Sequence, residues 1–215
     1  MLHVEIIPVT HYQQNCSFIW CDETLEAALV DPGGEPEKLI ARVQRSEFTL
    51  TKVLLTHGHM DHVGAVTPIA RAFDTPVVGP HRAESFWLDM LDKQASMMGF
   101  APCEPVVPSV WLNDGDVVTL GNRHLQVFHC PGHTPGHVVF VDLDAAIAFV
   151  GDVLFKGSVG RTDFPRGNQQ QLIDSIHSKL WPLGDHIQFV PGHGPTSTFG
   201  AERASNPFVA DKHFG

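Results

Sequence analysis

Thr56-His57-Gly58-His59-Met60-Asp61-His62 sets three imidazoles and a carboxylate within six consecutive positions, directly behind the short apolar strand predicted at Lys52–Leu55. Strand-end loops are where α/β proteins display functional side chains. Imidazole and carboxylate are donors that suit Zn²⁺, Fe or Mn. His57 and His59, two apart on an extended turn, can face the same way, while Asp61 and His62 open the next helix. From the chain's own composition, a His-x-His-x-Asp-His string is expected by chance on the order of a few times per thousand such sequences. A merely solvated histidine-rich turn is therefore a poor account of it.

Working outward, three more places share one grammar: an apolar strand ends and a metal-type side chain follows glycine. They are Cys130-Pro131-Gly132-His133, Val150-Gly151-Asp152 and Val190-Pro191-Gly192-His193. Each is weak alone, because a histidine or aspartate in a turn is usually structural. Together with the first cluster they supply seven donors, enough for two neighbouring ions. Glycine beside a donor lets the backbone approach closely.

The rest of the chain reads as alternating short elements. Strands are expected at Val4–Thr10, Cys16–Cys21 and Ala27–Asp31, then a helix over Glu35–Glu47 with Leu39, Ile40 and Val43 on one face. After the histidine cluster, a helix over His62–Phe73, a strand at Pro76–Val78 and a helix near Arg82–Leu91 follow. Positions 94–112 carry no periodicity and read as an irregular loop near a pocket. Strands resume at Asp116–Leu120, His124–Cys130, Val138–Asp142 and Ala146–Val150, with a helix at Gln169–Leu180 and a last strand at Ile187–Val190. This order predicts two α/β halves packing their sheets together with helices outside. No internal repeat links the halves, and one domain over 1–215 is expected.

Composition excludes several classes. A net charge of −10 speaks against a nucleic-acid partner, which needs clustered Lys and Arg. The N-terminus lacks the pattern of a signal peptide, and no apolar run is long enough to span a membrane. Cys16, Cys21, Cys103 and Cys130 form no CxxC pair, so a reduced cytoplasmic setting is expected. Cys130 reads as a buried strand-end thiol, Trp87 and Trp111 as packing residues, and His129 and His137 as neighbours of the His133 loop.

His57-x-His59-x-Asp61-His62 with His133, Asp152 and His193 resembles the metallo-β-lactamase superfamily. Its five motifs stand in order, with Asp31 in Val30-Asp31-Pro32-Gly33 matching the first, and the similarity runs from residue 4 to about 200. The resemblance implies a four-layer αββα sandwich with metals at one edge of the sheets. It implies that His57, His59, His133 and Asp152 hold one divalent ion and Asp61, His62, Asp152 and His193 the other. Zn is expected, with Fe or Mn as alternatives. Asp152 would bridge, and Asp31 would orient a ligand or loop. Two ions sharing a carboxylate can lower the pKa of a bridging hydroxide toward neutrality, and Asp61 could act as general base if one ion is present.

Within that superfamily, Thr134-Pro135-Gly136-His137, the Leu154-Phe155 pair after Asp152 and Gly160-Arg161-Thr162-Asp163-Phe164 resemble glyoxalase II. This implies hydrolysis of a hydroxyacylglutathione thioester, such as lactoylglutathione, by a metal-bound hydroxide. Arg161 aligns with a basic residue that engages a glutathione carboxylate, and Arg166 is added on the same physical motive. The chain stops too soon after His193 for the C-terminal helical domain of glyoxalase II, so it resembles the short bacterial relatives. Exported β-lactamases usually carry Cys or Ser in place of Asp152, which argues against that reading. The alternative is resemblance to a persulfide dioxygenase, a family that also carries the Gly160-Arg161-Thr162-Asp163-Phe164 pattern and would hold one iron with His57, His133 and Asp152.

Overall fold

The computed structural model describes residues 1–213. Five strands form the first sheet in sequential order: β1 (Leu2–Val9), β2 (Gln14–Cys21), β3 (Glu26–Val30), β4 (Thr49–Leu54) and β5 (Val77–Val78). Between them lie the helices α1 (Pro36–Gln44), α2 (Met60–Val63) and α3 (Val66–Phe73). After β5 come α4 (Ser85–Leu88) and α5 (Leu91–Met98). The second sheet is built from β6 (Val117–Leu120), β7 (Arg123–His129), β8 (Val138–Asp142) and β9 (Ile147–Gly151). A small hairpin, β10 (Leu154–Phe155) and β11 (Ser158–Val159), and helix α6 (Gln169–Ser175) follow. Strands β12 (Gln188–Pro191) and β13 (Ser197–Thr198) then complete the second sheet, whose order is β13-β12-β9-β8-β7-β6, and α7 (Phe199–Ser205) packs outside it.

Side-chain parity explains the layers. In β3, Ala27 and Leu29 point to one apolar cluster and Ala28 and Val30 to another; in β8, Val138 and Phe140 separate from Val139 and Val141 in the same way. Strands buried on both faces read as continuous apolar runs. The first cluster joins the outer face of sheet one to Leu39, Val43, Val66, Ile69 and Leu91 of the helices. The second lies between the sheets, where Ile19, Val30 and Leu54 meet Leu125, Phe140 and Phe149. The third joins sheet two to Leu172, Ile176, Trp181 and Phe199. Three apolar interlayers make the four-layer αββα sandwich that the sequence implies.

Strand direction gathers the functional loops. Strands β3 and β4 are parallel, as are β9 and β12, while β7 and β9 both run against the intervening β8. Asp31, Thr56–His59, His133, Asp152 and His193 therefore all follow C-terminal strand ends at one edge. Val138 N–H donates to Thr56 O at 2.8 Å and Asn15 N–H to Gly192 O at 2.8 Å, tying the two sheets at that edge.

Four expectations need correction. The helix expected over His62–Phe73 is two helices, because the chain breaks at Gly64 and Ala65, where Ala65 N–H donates to Pro32 O at 3.0 Å. The helix expected near Arg82–Leu91 is a 3₁₀ turn, Arg82–Glu84, followed by the short α4. Gln169–Leu180 is α-helical only to Ser175 and widens to a π turn over Ile176–Leu180. The segment at 94–112 is not irregular throughout, since α5 occupies its start. No helix among the described residues is long and apolar enough to cross a membrane.

Candidate metal centre

Three trios of donor side chains converge at the sheet edge, of which two share no member, His57 with His59 and His133, and Asp61 with His62 and His193; the third joins Asp31 to His57 and His62. In the first trio, His57 Nε2 and His133 Nε2 lie 3.1 and 3.0 Å from His59 Nδ1. In the second, His62 Nε2 lies 3.3 Å from His193 Nε2, which lies 3.1 Å from Asp61 Oδ2. Asp152 sits between them, with Oδ1 3.4 Å from His62 Nε2 and Oδ2 3.6 Å from His133 Nε2. Gly192 makes this approach possible, because a Cβ there would stand 2.1 Å from Asp152 Oδ1.

The hydrogen bonds outside the first two trios fix which nitrogen faces inward. His133 Nδ1–H donates to Arg161 O at 2.7 Å, His193 Nδ1–H to Tyr12 O at 3.2 Å and His62 Nδ1–H to Asp31 Oδ2 at 2.9 Å. Thr56 Oγ donates to Asp31 Oδ2 at 2.5 Å and accepts from His57 Nδ1–H at 3.0 Å. Asp31 therefore orients one imidazole in each of those two, His62 directly and His57 through Thr56, and does so from a left-handed backbone at φ 51. In its neutral form each of these rings turns a lone pair toward its neighbours. Lone pairs facing one another repel unless a cation lies among them. Around a tetrahedral ion with bonds of about 2.0–2.1 Å, donors stand about 3.3 Å apart, close to the separations found here. Asp152 Oδ1 and His59 Nε2 are buried without hydrogen-bond partners. The donor set thus fits a pair of divalent ions, and Asp31, already saturated by Thr56 and His62, fits as a holder of ligands.

Electrostatics separate the two trios. Burial, with the neighbouring imidazoles, pushes His57 well below its ordinary pKa and His59 down to about 3. Burial also lowers His133, against the pull of Asp152. Burial acts the same way on His62 and His193, but carboxylates outweigh it: Asp152, Asp31 and Asp61 raise His62, and Asp61 and Asp152 raise His193. Burial alone would raise Asp152, yet the imidazoles of His62, His133 and His193 hold it far below the usual carboxylate range. Burial likewise opposes ionisation of Asp61, and His193 and His62 still lower it.

Three supporting residues lie outside the sequence reading or were only touched by it. Glu84 is fully buried, and its carboxylate accepts Gly58 N–H at 2.9 Å and Gly136 N–H at 2.7 Å, joining the loops of His59 and His133. Gln94 accepts Met60 N–H at 3.0 Å and donates to Gly58 O at 3.1 Å and Trp87 O at 2.8 Å. His137 accepts Asp152 N–H at 3.0 Å and stacks on His57 at 4.6 Å.

A cavity of about 680 Å³ opens above the donors, with His59, Asp61, His133, Asp152 and His193 at its floor. Its size is that of a small-molecule site. Trp87, read from the sequence as packing, is buried and also lines this cavity, edge-on to His59 at 4.6 Å. Arg161 lines it too, with its guanidinium paired to Asp163 at 3.0 and 2.8 Å and resting on Phe164. Arg166 lies apart from Arg161. A left-handed backbone at φ 65 turns it over Phe86 at 4.0 Å, and it is absent from the cavity wall.

With this geometry in view, similarity to known proteins gains meaning. A family model described as the metallo-beta-lactamase superfamily matches residues 9–193. Hydroxyacylglutathione hydrolase GloC of Haemophilus influenzae is 45% identical over 98% of this chain and 100% of its own length. Among solved structures, BLEG-1 B3 metallo-beta-lactamase superposes with a TM-score of 0.88 at 38% identity, covering 97% of this chain and 99% of that one. TTHA1623 in a di-iron-bound form gives 0.87 at 39% identity, covering 96% and 100%. ETHE1 from Myxococcus xanthus gives 0.80 at 28% identity, covering 97% and 85%.

Proposed function

The chain belongs to the metallo-beta-lactamase superfamily, and from that premise we propose that it hydrolyses a glutathione thioester of the hydroxyacyl type. The observation that carries the proposal is the second trio. Asp61, His62 and His193 are assembled as fully as the first trio, and chemistry at a single iron does not require them. Likeness to the Haemophilus influenzae hydrolase supports the substrate class.

In this reading His57, His59, His133 and Asp152 hold one divalent ion, and Asp61, His62, His193 and Asp152 hold another. Such a pair, when bound, supplies a Lewis acid for the thioester carbonyl and lowers the pKa of water. Were one ion alone bound, Asp61, kept as a carboxylate at the cavity floor, would receive the proton of the attacking water. As the C–S bond breaks and the C–O bond forms, that proton passes to the departing thiolate, giving a free acid and free glutathione.

The testing experiment compares oxygen dependence. Turnover of lactoylglutathione should be equal with and without oxygen, releasing thiol in step with acid. The second reading, an iron-dependent persulfide dioxygenase, draws on the Gly160–Phe164 segment and on the likeness to ETHE1. Oxygen uptake with glutathione persulfide and no thioester cleavage would establish it. Because BLEG-1 is named a β-lactamase, a cyclic amide belongs in the same assay, with slower cleavage expected than for the thioester.

Arg161 enters as a proposed contact to a glutathione carboxylate. Its pair with Asp163 is exposed on both sides, and a solvent-screened pair exchanges partners at small cost. Arg161→Ala should raise KM a few-fold with kcat nearly unchanged, and Asp163→Ala, by removing the competitor, should lower KM. A fall in kcat alone on Arg161→Ala would instead place the guanidinium at the chemistry.

A further inference from the structure

Helix α5 presents one face to the cavity. Lys93, Met97 and Met98 line it, at the i, i+4 and i+5 spacing of a single helical side, with Met90 beside them at the residue that caps the helix N-terminus. The helix is anchored at both ends to the donor loops. Gln94 bonds to Met60 N, Gly58 O and Trp87 O, and Tyr12, whose carbonyl takes His193 Nδ1–H, donates its hydroxyl to Met98 O at 3.4 Å. A shift of α5 would therefore move the histidine loops, so this wall is fixed relative to the reacting centre.

Two features of the wall point to a ligand. Met97 is 77% exposed at the cavity edge, an unfavourable place for a long apolar side chain unless something apolar covers it. Methionine is the side chain that adapts to varied apolar groups. Among the described residues, Lys93 and Arg161 are the only Lys or Arg side chains lining the cavity. Arg161 already holds Asp163, whereas Lys93 makes no ion pair or hydrogen bond among the described residues.

The geometry points to α5 as the specificity element of the site: Met90, Met97 and Met98 receive an apolar group of the acyl chain, and Lys93 receives a carboxylate of the carrier. This rests on the thioester-hydrolase reading above. Glutathione is polar along its length, so an apolar wall can serve only the acyl part of such a substrate. The acyl groups best served are larger than lactoyl.

The test is a series of 2-hydroxyacylglutathiones on the metal-loaded enzyme. A fully buried methylene is worth about fourfold in kcat/KM, so 2-hydroxyhexanoyl should exceed lactoyl by at least about tenfold. Met97→Ser with Met98→Ser should flatten that slope several-fold. Lys93→Glu should raise KM for the glutathione thioester by about fivefold or more, and far less for the same acyl group on N-acetylcysteamine, which has no carboxylate. Rates independent of acyl length, or a Lys93→Glu effect equal on both carriers, would overturn the assignment while leaving the hydrolase reading intact. If no thioester is cleaved, the hydrolase reading fails by itself. Calorimetric titration then decides α5 separately: S-hexylglutathione should bind at least about tenfold tighter than S-methylglutathione, and equal or undetectable binding would overturn the proposal.

Discussion

Replacing Asp152 by alanine should reduce kcat/KM on lactoylglutathione by about a thousandfold or more and lower the metal content of the purified protein. The size follows from position. The Asp152 carboxylate faces both trios, 3.4 Å from His62 and 3.6 Å from His133. The surrounding imidazoles hold it ionised despite burial, so its removal also strips the negative charge that two cations would share. His62, raised chiefly by that carboxylate, would lose most of the cause of its shift, whereas His193 would keep the larger contribution of Asp61. Elemental analysis of protein purified without chelator, beside a thioester assay, measures both effects. Full activity with full metal content would remove Asp152 from the centre. Loss of activity with metal retained would assign it to orienting the nucleophile alone.

The donors were legible because their chemistry is rare and local. Three imidazoles and a carboxylate in six positions after a strand suit few roles besides metal binding, and each later donor followed a strand end and a glycine. The layers were legible because parity within β3 and β8 is a local property. What escaped depended on partners distant in sequence. Helix α5 buries Leu91, Gln94 and Ala95, and a buried glutamine erases the apolar period that would have announced a helix. Its burial makes sense only when Gly58, Met60 and Trp87 are brought beside it. The strands β10, β11 and β13, at two residues each, are too short to carry any pattern. Sequence likewise could not place Arg166, whose backbone is left-handed and whose guanidinium lies over Phe86.

Glu84 is the other residue that sequence left silent, and its replacement should have the largest effect on stability. Both carboxylate oxygens accept buried backbone N–H groups, from Gly58 and Gly136. Glu84→Ala would leave both donors unpaired and open a cavity, a loss of about 3–5 kcal/mol, or roughly 10 °C in Tm. Glu84→Gln removes the titration, although its amide nitrogen would meet one of the two N–H donors, so only the pH dependence of the difference is read. Burial, outweighing the two backbone N–H groups, raises the Glu84 pKa from 4.5 to about 7. The folded state therefore keeps a proton that the unfolded chain releases. The stability this gives is complete below pH 4.5 and is lost as pH rises through about 7. At 1.36 kcal/mol per unit the whole change is about 3 kcal/mol. Glutamine cannot titrate, so wild type should lose about that much stability relative to Glu84→Gln between pH 4.5 and 8. Urea unfolding of the metal-loaded proteins at several pH values within that window measures the difference. Parallel profiles would show that Glu84 stays ionised throughout and serves the two loops only as a fixed acceptor.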